Sequence, residues 1–108
     1  MAISLPHVIA VFFQVSNGLE TASLADCFMQ DATVLDEGEM HQGHEAIQLW
    51  QREAQRKYQY SVDPSSVSRQ GDCVTVSAAV VGNFPGSPVQ LDHVFNLVGD
   101  KIQSLEIG

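Results

Sequence analysis

Asp36 ends a short apolar run, Asp31-Ala32-Thr33-Val34-Leu35, and is followed by Glu37 and Gly38. A carboxylate at a strand end beside an apolar interior loses solvation, so its pKa rises. A general base needs this property. The plainer reading of the same residue is a solvated aspartate at the start of a loop. Strand alternation sends Glu37 to the opposite side, toward solvent.

His93 is the second residue with chemistry to offer. Leu91, His93, Phe95 and Leu97 alternate with Asp92 and Asn96, so the imidazole shares the apolar face of its strand. There it could donate a hydrogen bond as a neutral ring, pair with Asp36, or sit in the core satisfied by a backbone carbonyl. Phe12, Phe28 and Trp50 are candidate wall residues of a pocket on its helical side, and equally candidates for plain core. Tyr58 and Tyr60 alternate at strand spacing, so both line a pocket or both are covered. Asn83 and Phe84 fall at a strand end near the mouth, where both could meet a ligand or Asn83 could simply serve the turn. His41, His44, Asp36, Glu37, Glu39 and Glu45 mimic a metal cluster by composition. Their spacing in a loop is too loose for one, and a solvated acidic loop is the better account.

These residues are held by elements that the pattern defines. Ser4 can cap a first helix with Pro6 in its opening turn. Leu5, Val8, Ile9, Phe12 and Val15 recur along it, and Asn17-Gly18 stops it. Ser23 can cap a second, short helix with Leu24, Cys27 and Phe28 buried and Asp31 at its close. Ala32 to Asp36 is the first strand. Ala46, Ile47, Trp50 and Ala54 mark a third helix whose outer face carries Gln48, Gln51, Arg52 and Gln55. The period then changes to two, from Tyr58 through Val62 to a break at Pro64, with Val67 in a short continuation. Gln70-Gly71-Asp72 turns into Cys73 to Val81, and residues 82–88 form a Gly- and Pro-rich connection. The strand Val89 to Val98, a tight Gly99-Asp100 hairpin and Ile102 to Ile107 complete the chain. The order predicts one α+β domain over residues 1–108, a cone-shaped, curved antiparallel sheet wrapped around three N-terminal helices.

The 108 residues are 44% hydrophobic, enough for one core and too few for two domains. Only 17% are charged, which suggests buried polar positions, an apolar cavity or an oligomer interface. A net charge of −8 argues against nucleic acid and against anionic membrane surfaces as partners. Arg52, Arg56 and Lys57 are the only basic cluster and lie near one helix end, where the dipole favours cations. The run Val8 to Phe13 is too short to span a membrane and lacks signal-peptide features. Cys27 and Cys73 lack zinc or redox spacing and read as small buried hydrophobes of a reduced, cytoplasmic protein.

The helix–helix–strand–helix–meander order resembles the SnoaL-like branch of the nuclear transport factor 2-like superfamily, which includes ketosteroid isomerases and polyketide cyclases. The segments that carry the likeness are Asp31-Ala32-Thr33-Val34, Gly43-x-x-Ala46-Ile47 and Gly99-Asp100-Lys101-Ile102. The resemblance implies an α+β cone with a hydrophobic pocket at its mouth, and homodimers that pair through the sheet. It places Asp36 where the isomerases carry their general base. It places His93 on the strand that carries their protonated aspartic acid, with the same inward parity. Their first-helix tyrosine has no counterpart, because that stretch reads Val11-Phe12-Phe13. The expected function is binding of a small apolar molecule, with cofactor-free acid–base chemistry of isomerase, cyclase or dehydratase type. The alternative is a ligand-binding or dimerisation module without turnover.

Overall fold

The computed structural model describes residues 4–18 and 24–108. Helix α1 covers His7–Ser16 and α2 covers His44–Tyr58; the strands are β1 (Phe28–Asp36), β2 (Glu39–Gln42), β3 (Ser61–Gln70), β4 (Cys73–Val81), β5 (Val89–Val98) and β6 (Lys101–Ile107). The strands form one curved, unclosed sheet in the order β2-β1-β6-β5-β4-β3. Every neighbouring pair is antiparallel except β1 with β6, which run parallel. The α+β class holds, and the expectation of a wholly antiparallel sheet does not.

The sheet turns its alternate residues toward the helices. Val74, Val76 and Ala78 of β4 are fully buried, and they pair with Phe95, His93 and Leu91 of β5. On β5 that parity buries His93, Phe95 and Leu97 together. Phe12 of α1 meets the core rings edge-on, with centroids 5.2 Å from Phe13, 5.9 Å from Phe28 and 5.5 Å from Phe95. These are favourable quadrupole geometries for a packed aromatic group.

Five local readings of the sequence need correction. The expected second helix is a single 3-10 turn over Leu24–Cys27, and Phe28 already belongs to β1, opposite Ile102 of β6. Its buried triad survives, because Leu24, Cys27 and Phe28 are all buried. A turn followed by a strand hides them as well as a helix would, and gains a sheet ladder. The expected cap Ser23 lies outside the described residues. Ser4 does not cap α1, which starts after Pro6 without a side-chain cap.

Residues 39–42 are strand rather than loop. Glu37 and Gly38, with φ of 54° and 77°, build a primed turn that folds β2 back on β1. Tyr58 ends α2 instead of starting a strand, because Gln59 adopts the left-handed conformation that stops the helix. Pro64 does not break β3. It sits on the outermost strand, where its missing N–H costs no ladder bond, and the register shifts between Pro64 and Ser66.

Polar contacts then fix the helices to the sheet. The Asn17 amide donates to the Val62 carbonyl and accepts from the Val62 N–H, both at 2.7 Å, and so pins the end of α1 to β3. Gln51 of α2 donates to Ser16 Oγ at 2.6 Å, and Gln55 donates to the carbonyls of Ser16 and Tyr60. These bonds fix α1 to α2 and to β3.

Candidate functional site

Beside these contacts lies a cleft of about 650 Å³, within the range of small-molecule sites. Its apolar wall includes Phe12, Val62, Val80, Val89, Leu91 and Ile107. Asp36, Trp50, Tyr58, Tyr60 and His93 all line it, so the fold gathers residues from β1, α2, the α2–β3 junction and β5. Two of the residues singled out in the sequence are absent from the lining. Phe28 packs into the core against Phe12. Asn83 is exposed, with its backbone N–H bound to the Tyr58 carbonyl, and Phe84 faces the cleft in its place.

Asp36 sits at the last position of β1, paired with Glu39 across the turn. Trp50 Nε1 donates to its Oδ2 at 3.0 Å. Burial is the main influence on this carboxyl and lifts its pKa above the ordinary value of 3.8. The Trp50 bond opposes the rise by favouring the carboxylate; the charge of Glu37 adds to the rise, and His41 and a hydrogen bond from the Glu37 backbone subtract from it. The indole leaves the second carboxyl oxygen without a claim from Trp50, which is the arrangement a positioned proton acceptor needs.

His93 is only 3% exposed, packed edge-on to Phe13 and stacked on Phe95. Burial pushes its pKa down to about 4, and the nearby Leu91 and Val76 carbonyls and Asp92 offset only part of that. The ring is therefore neutral at pH 7. Its Nδ1 has no hydrogen-bond partner of full geometry among the described residues, and the backbone carbonyls of Leu91 and Val76 are the polar groups that act on the ring.

Tyr60 presents a phenol whose pKa is pushed up to about 12, first by burial and then by the negative charge of Asp36; the Gln51 amide pulls the other way. It is a protonated donor at any physiological pH. Tyr58 closes the rim: its hydroxyl donates to Glu37 Oε1 at 3.0 Å, and its ring meets Phe84 edge-on at 5.7 Å. Gly82 makes this closure possible. A Cβ there would come within 2.9 Å of the Tyr58 carbonyl and of Tyr60 Cβ. Sequence reasoning missed Glu37 and Ser16 as lining residues, while Phe84 lines the cleft as one of the two residues expected near its mouth. The Glu37-Gly38 pair was the available signal for the turn that swings Glu37 toward Tyr58.

His41 and His44 have structural contacts. His44 Nε2 lies 2.9 Å from the Phe28 carbonyl, and the His41 ring tilts against Trp50 at 6.1 Å. No group of three or more His, Cys, Asp or Glu placed to hold a metal occurs among the described residues.

The two shifted groups act on stability with opposite sign. Unfolded, His93 takes up its proton near pH 6.5; folded, only near 4. Its contribution is complete above about pH 6.5 and drains away as the pH falls to 4, a loss of roughly 3 kcal/mol. Asp36, with a raised pKa, contributes below the ordinary carboxylate range and loses that contribution as the pH rises. Comparing the protein with its His93→Gln variant isolates the histidine. The wild-type advantage in urea unfolding is expected to shrink by about 3 kcal/mol from pH 7 to pH 4. A difference independent of pH would contradict the buried, neutral ring.

No protein-family model matches the chain, and neither does any curated protein. Solved structures do. A protein of Catenulispora acidiphila with a ketosteroid isomerase-like fold, solved in complex with trimethylamine, is 22% identical, with 97% of this chain and 86% of that one covered and a TM-score of 0.84. A nuclear transport factor 2-like protein of Cytophaga hutchinsonii is 14% identical, with 100% and 91% covered and a TM-score of 0.78. These two establish the fold. A Sinorhizobium meliloti protein provisionally assigned as a polyketide cyclase is 38% identical, with 96% of this chain and 95% of that one covered and a TM-score of 0.92. With that relative matched along nearly its whole length, the chain belongs to the SnoaL-like, polyketide cyclase-type branch of the nuclear transport factor 2-like superfamily.

Proposed function

We propose that the cleft binds a small, mostly apolar carbonyl compound and that Asp36 acts on it as a general base, without a cofactor. The observation that carries this reading is the Asp36 carboxyl itself. It lies in an apolar cavity, its pKa is raised by burial, and one of its oxygens is held by Trp50. Asp36 takes a proton from the carbon beside the carbonyl, and the electron pair moves onto the carbonyl oxygen as an enolate. Tyr60 and the neutral His93 line the same cavity and are the hydrogen-bond donors available to that oxygen. Return of the proton at another carbon gives isomerisation; attack by the enolate carbon on a second carbonyl gives cyclisation; loss of a neighbouring hydroxyl gives dehydration.

The same proposal includes a homodimer formed through the outer sheet face, where Val81 is 48% exposed and Val94 is half-buried. It also includes a cytoplasmic setting, supported by two free thiols, Cys27 and Cys73. No helix among the described residues is long and apolar enough to cross a membrane.

Deuterium uptake next to the carbonyl, followed by NMR over a panel of apolar ketones in D2O, tests the chemistry. Asp36→Asn keeps the shape and removes the base. It is expected to slow exchange roughly 100-fold or more while leaving ketone binding nearly intact. Equal exchange in the variant would remove Asp36 from the mechanism and favour binding without turnover. Sedimentation at micromolar concentration is expected to show a single species of twice the 11.8 kDa chain mass. A monomer would rule out the dimer.

A further inference from the structure

The lining of the cleft carries charge of one sign. Asp36 and Glu37 are its only charged side chains among the described residues, and no lysine or arginine belongs to it. Aromatic rings stand beside them. Trp50 is bonded to Asp36, and the Tyr58 and Phe84 rings lie 5.7 Å apart with their planes at 84°. An aromatic face is the negative side of a quadrupole, so rings and carboxylates here act on a ligand in the same sense. Proton transfer at Asp36 uses none of Glu37, Tyr58 or Phe84.

An ammonium group of the chain itself shows what this corner favours. Lys57 Nζ lies 5.0 Å from the Tyr58 ring centroid, within cation–π range. Its contact with Tyr58, and then the charges of Glu37 and Glu39, push its pKa up, so the charged form is the favoured one. Lys57 is exposed and stands outside the lining, where water and salt screen its charge. A ligand carboxylate in the mouth would therefore meet two carboxylates and the negative faces of the rings, whereas a ligand ammonium would be attracted by all of them. The net charge of −8 draws cations toward the protein in the same sense. A methylated ammonium suits the corner better than a primary one. Its charge is spread over methyl groups that pack on rings, and it asks for few hydrogen-bond acceptors.

We propose, resting on the ligand-binding reading above, that Glu37, Tyr58 and Phe84 form a cation subsite at the mouth of the cleft, which takes a tertiary or quaternary ammonium group of the ligand while its apolar frame runs inward toward Asp36. The Tyr58 hydroxyl donates to Glu37 Oε1 at 3.0 Å and so holds the carboxylate beside the ring it complements. The φ of 54° at Glu37, in the primed turn, is what brings this side chain round to Tyr58. The ligand class narrows accordingly to amine-bearing carbonyl compounds, and free acids of similar shape are excluded.

Three probes that share a phenethyl frame test this with the full chain at pH 7: phenethyltrimethylammonium, its hydrocarbon isostere (3,3-dimethylbutyl)benzene, and 3-phenylpropanoate. Trp50, the only tryptophan in the chain, lines the cleft and reports binding by its fluorescence. The cation is expected to bind at least as tightly as the hydrocarbon, despite its greater desolvation cost, and roughly 100-fold or more tightly than the carboxylate. Glu37→Gln removes the charge and is expected to lower the cation's affinity relative to the hydrocarbon about fivefold. Phe84→Leu keeps apolar bulk without a ring face and is expected to lower that ratio about threefold. The second variant reads the subsite independently if the first disturbs the turn. Hydrocarbon binding without the cation, carboxylate binding as tightly as the cation, or a ratio unchanged by either variant would overturn the cation subsite while leaving the pocket reading intact. Failure of all three probes to bind would overturn both.

Discussion

The hydrogen bond from Trp50 Nε1 to Asp36 Oδ2 is the contact on which the site depends. It joins the middle of α2 to the last residue of β1, the two elements that form one flank of the cleft. An aspartate at a strand end next to a primed turn would otherwise be free to rotate into solvent. The indole holds it against the apolar wall, where desolvation raises its pKa, and the bond offsets part of the resulting cost. Position and basicity therefore have one origin. The carboxyl is strained toward neutrality because it is buried, and it stays buried because the indole binds it.

The rest of the structure provides the room. Polar bonds of Ser16, Asn17, Gln51 and Gln55 tie α1, α2 and β3 together beside the cavity, which Ser16, Tyr60 and Val62 also line. Its polar groups differ in kind. Asp36 is an acceptor of raised pKa, Tyr60 stays protonated, and His93 stays neutral. Groups pushed in different directions within one apolar cavity are the usual basis for dividing acid, base and binding roles. The rim is closed by Tyr58 and Phe84, which Gly82 allows to approach closely.

Much of this was legible in the sequence, and the failures have local causes. Strand parity alone turned His93 inward with Phe95 and Leu97, because a two-residue period leaves no other choice once the apolar face is known. Trp50 was visible as a wall residue, but its bond to Asp36 was not. A helix-to-strand contact fourteen residues apart depends on the angle at which α2 crosses the sheet, and periodicity carries no such information. Phe28 looked like pocket wall because its burial is real; which side of the core it faces is set by the parallel pairing of β1 with β6. β2 was hidden because Glu37 adopts a left-handed conformation more often given to Asn, Asp or Gly. Tyr58 was assigned to a strand because the left-handed stop at Gln59 has no glycine to announce it.

The central claim is that Asp36 is a desolvated carboxyl held for proton abstraction, and its own titration tests that most directly. The side-chain carboxyl 13C resonance of Asp36, followed from pH 2 to pH 8, gives its pKa without reference to any substrate. Trp50, the only tryptophan in the chain, should report the same transition through its indole N–H resonance. The account requires a midpoint clearly above the ordinary 3.8, shared by the two probes. A midpoint at or below 3.8, or an indole signal indifferent to it, would mean a solvated carboxylate at the cleft edge, and the proposed base would fall with it.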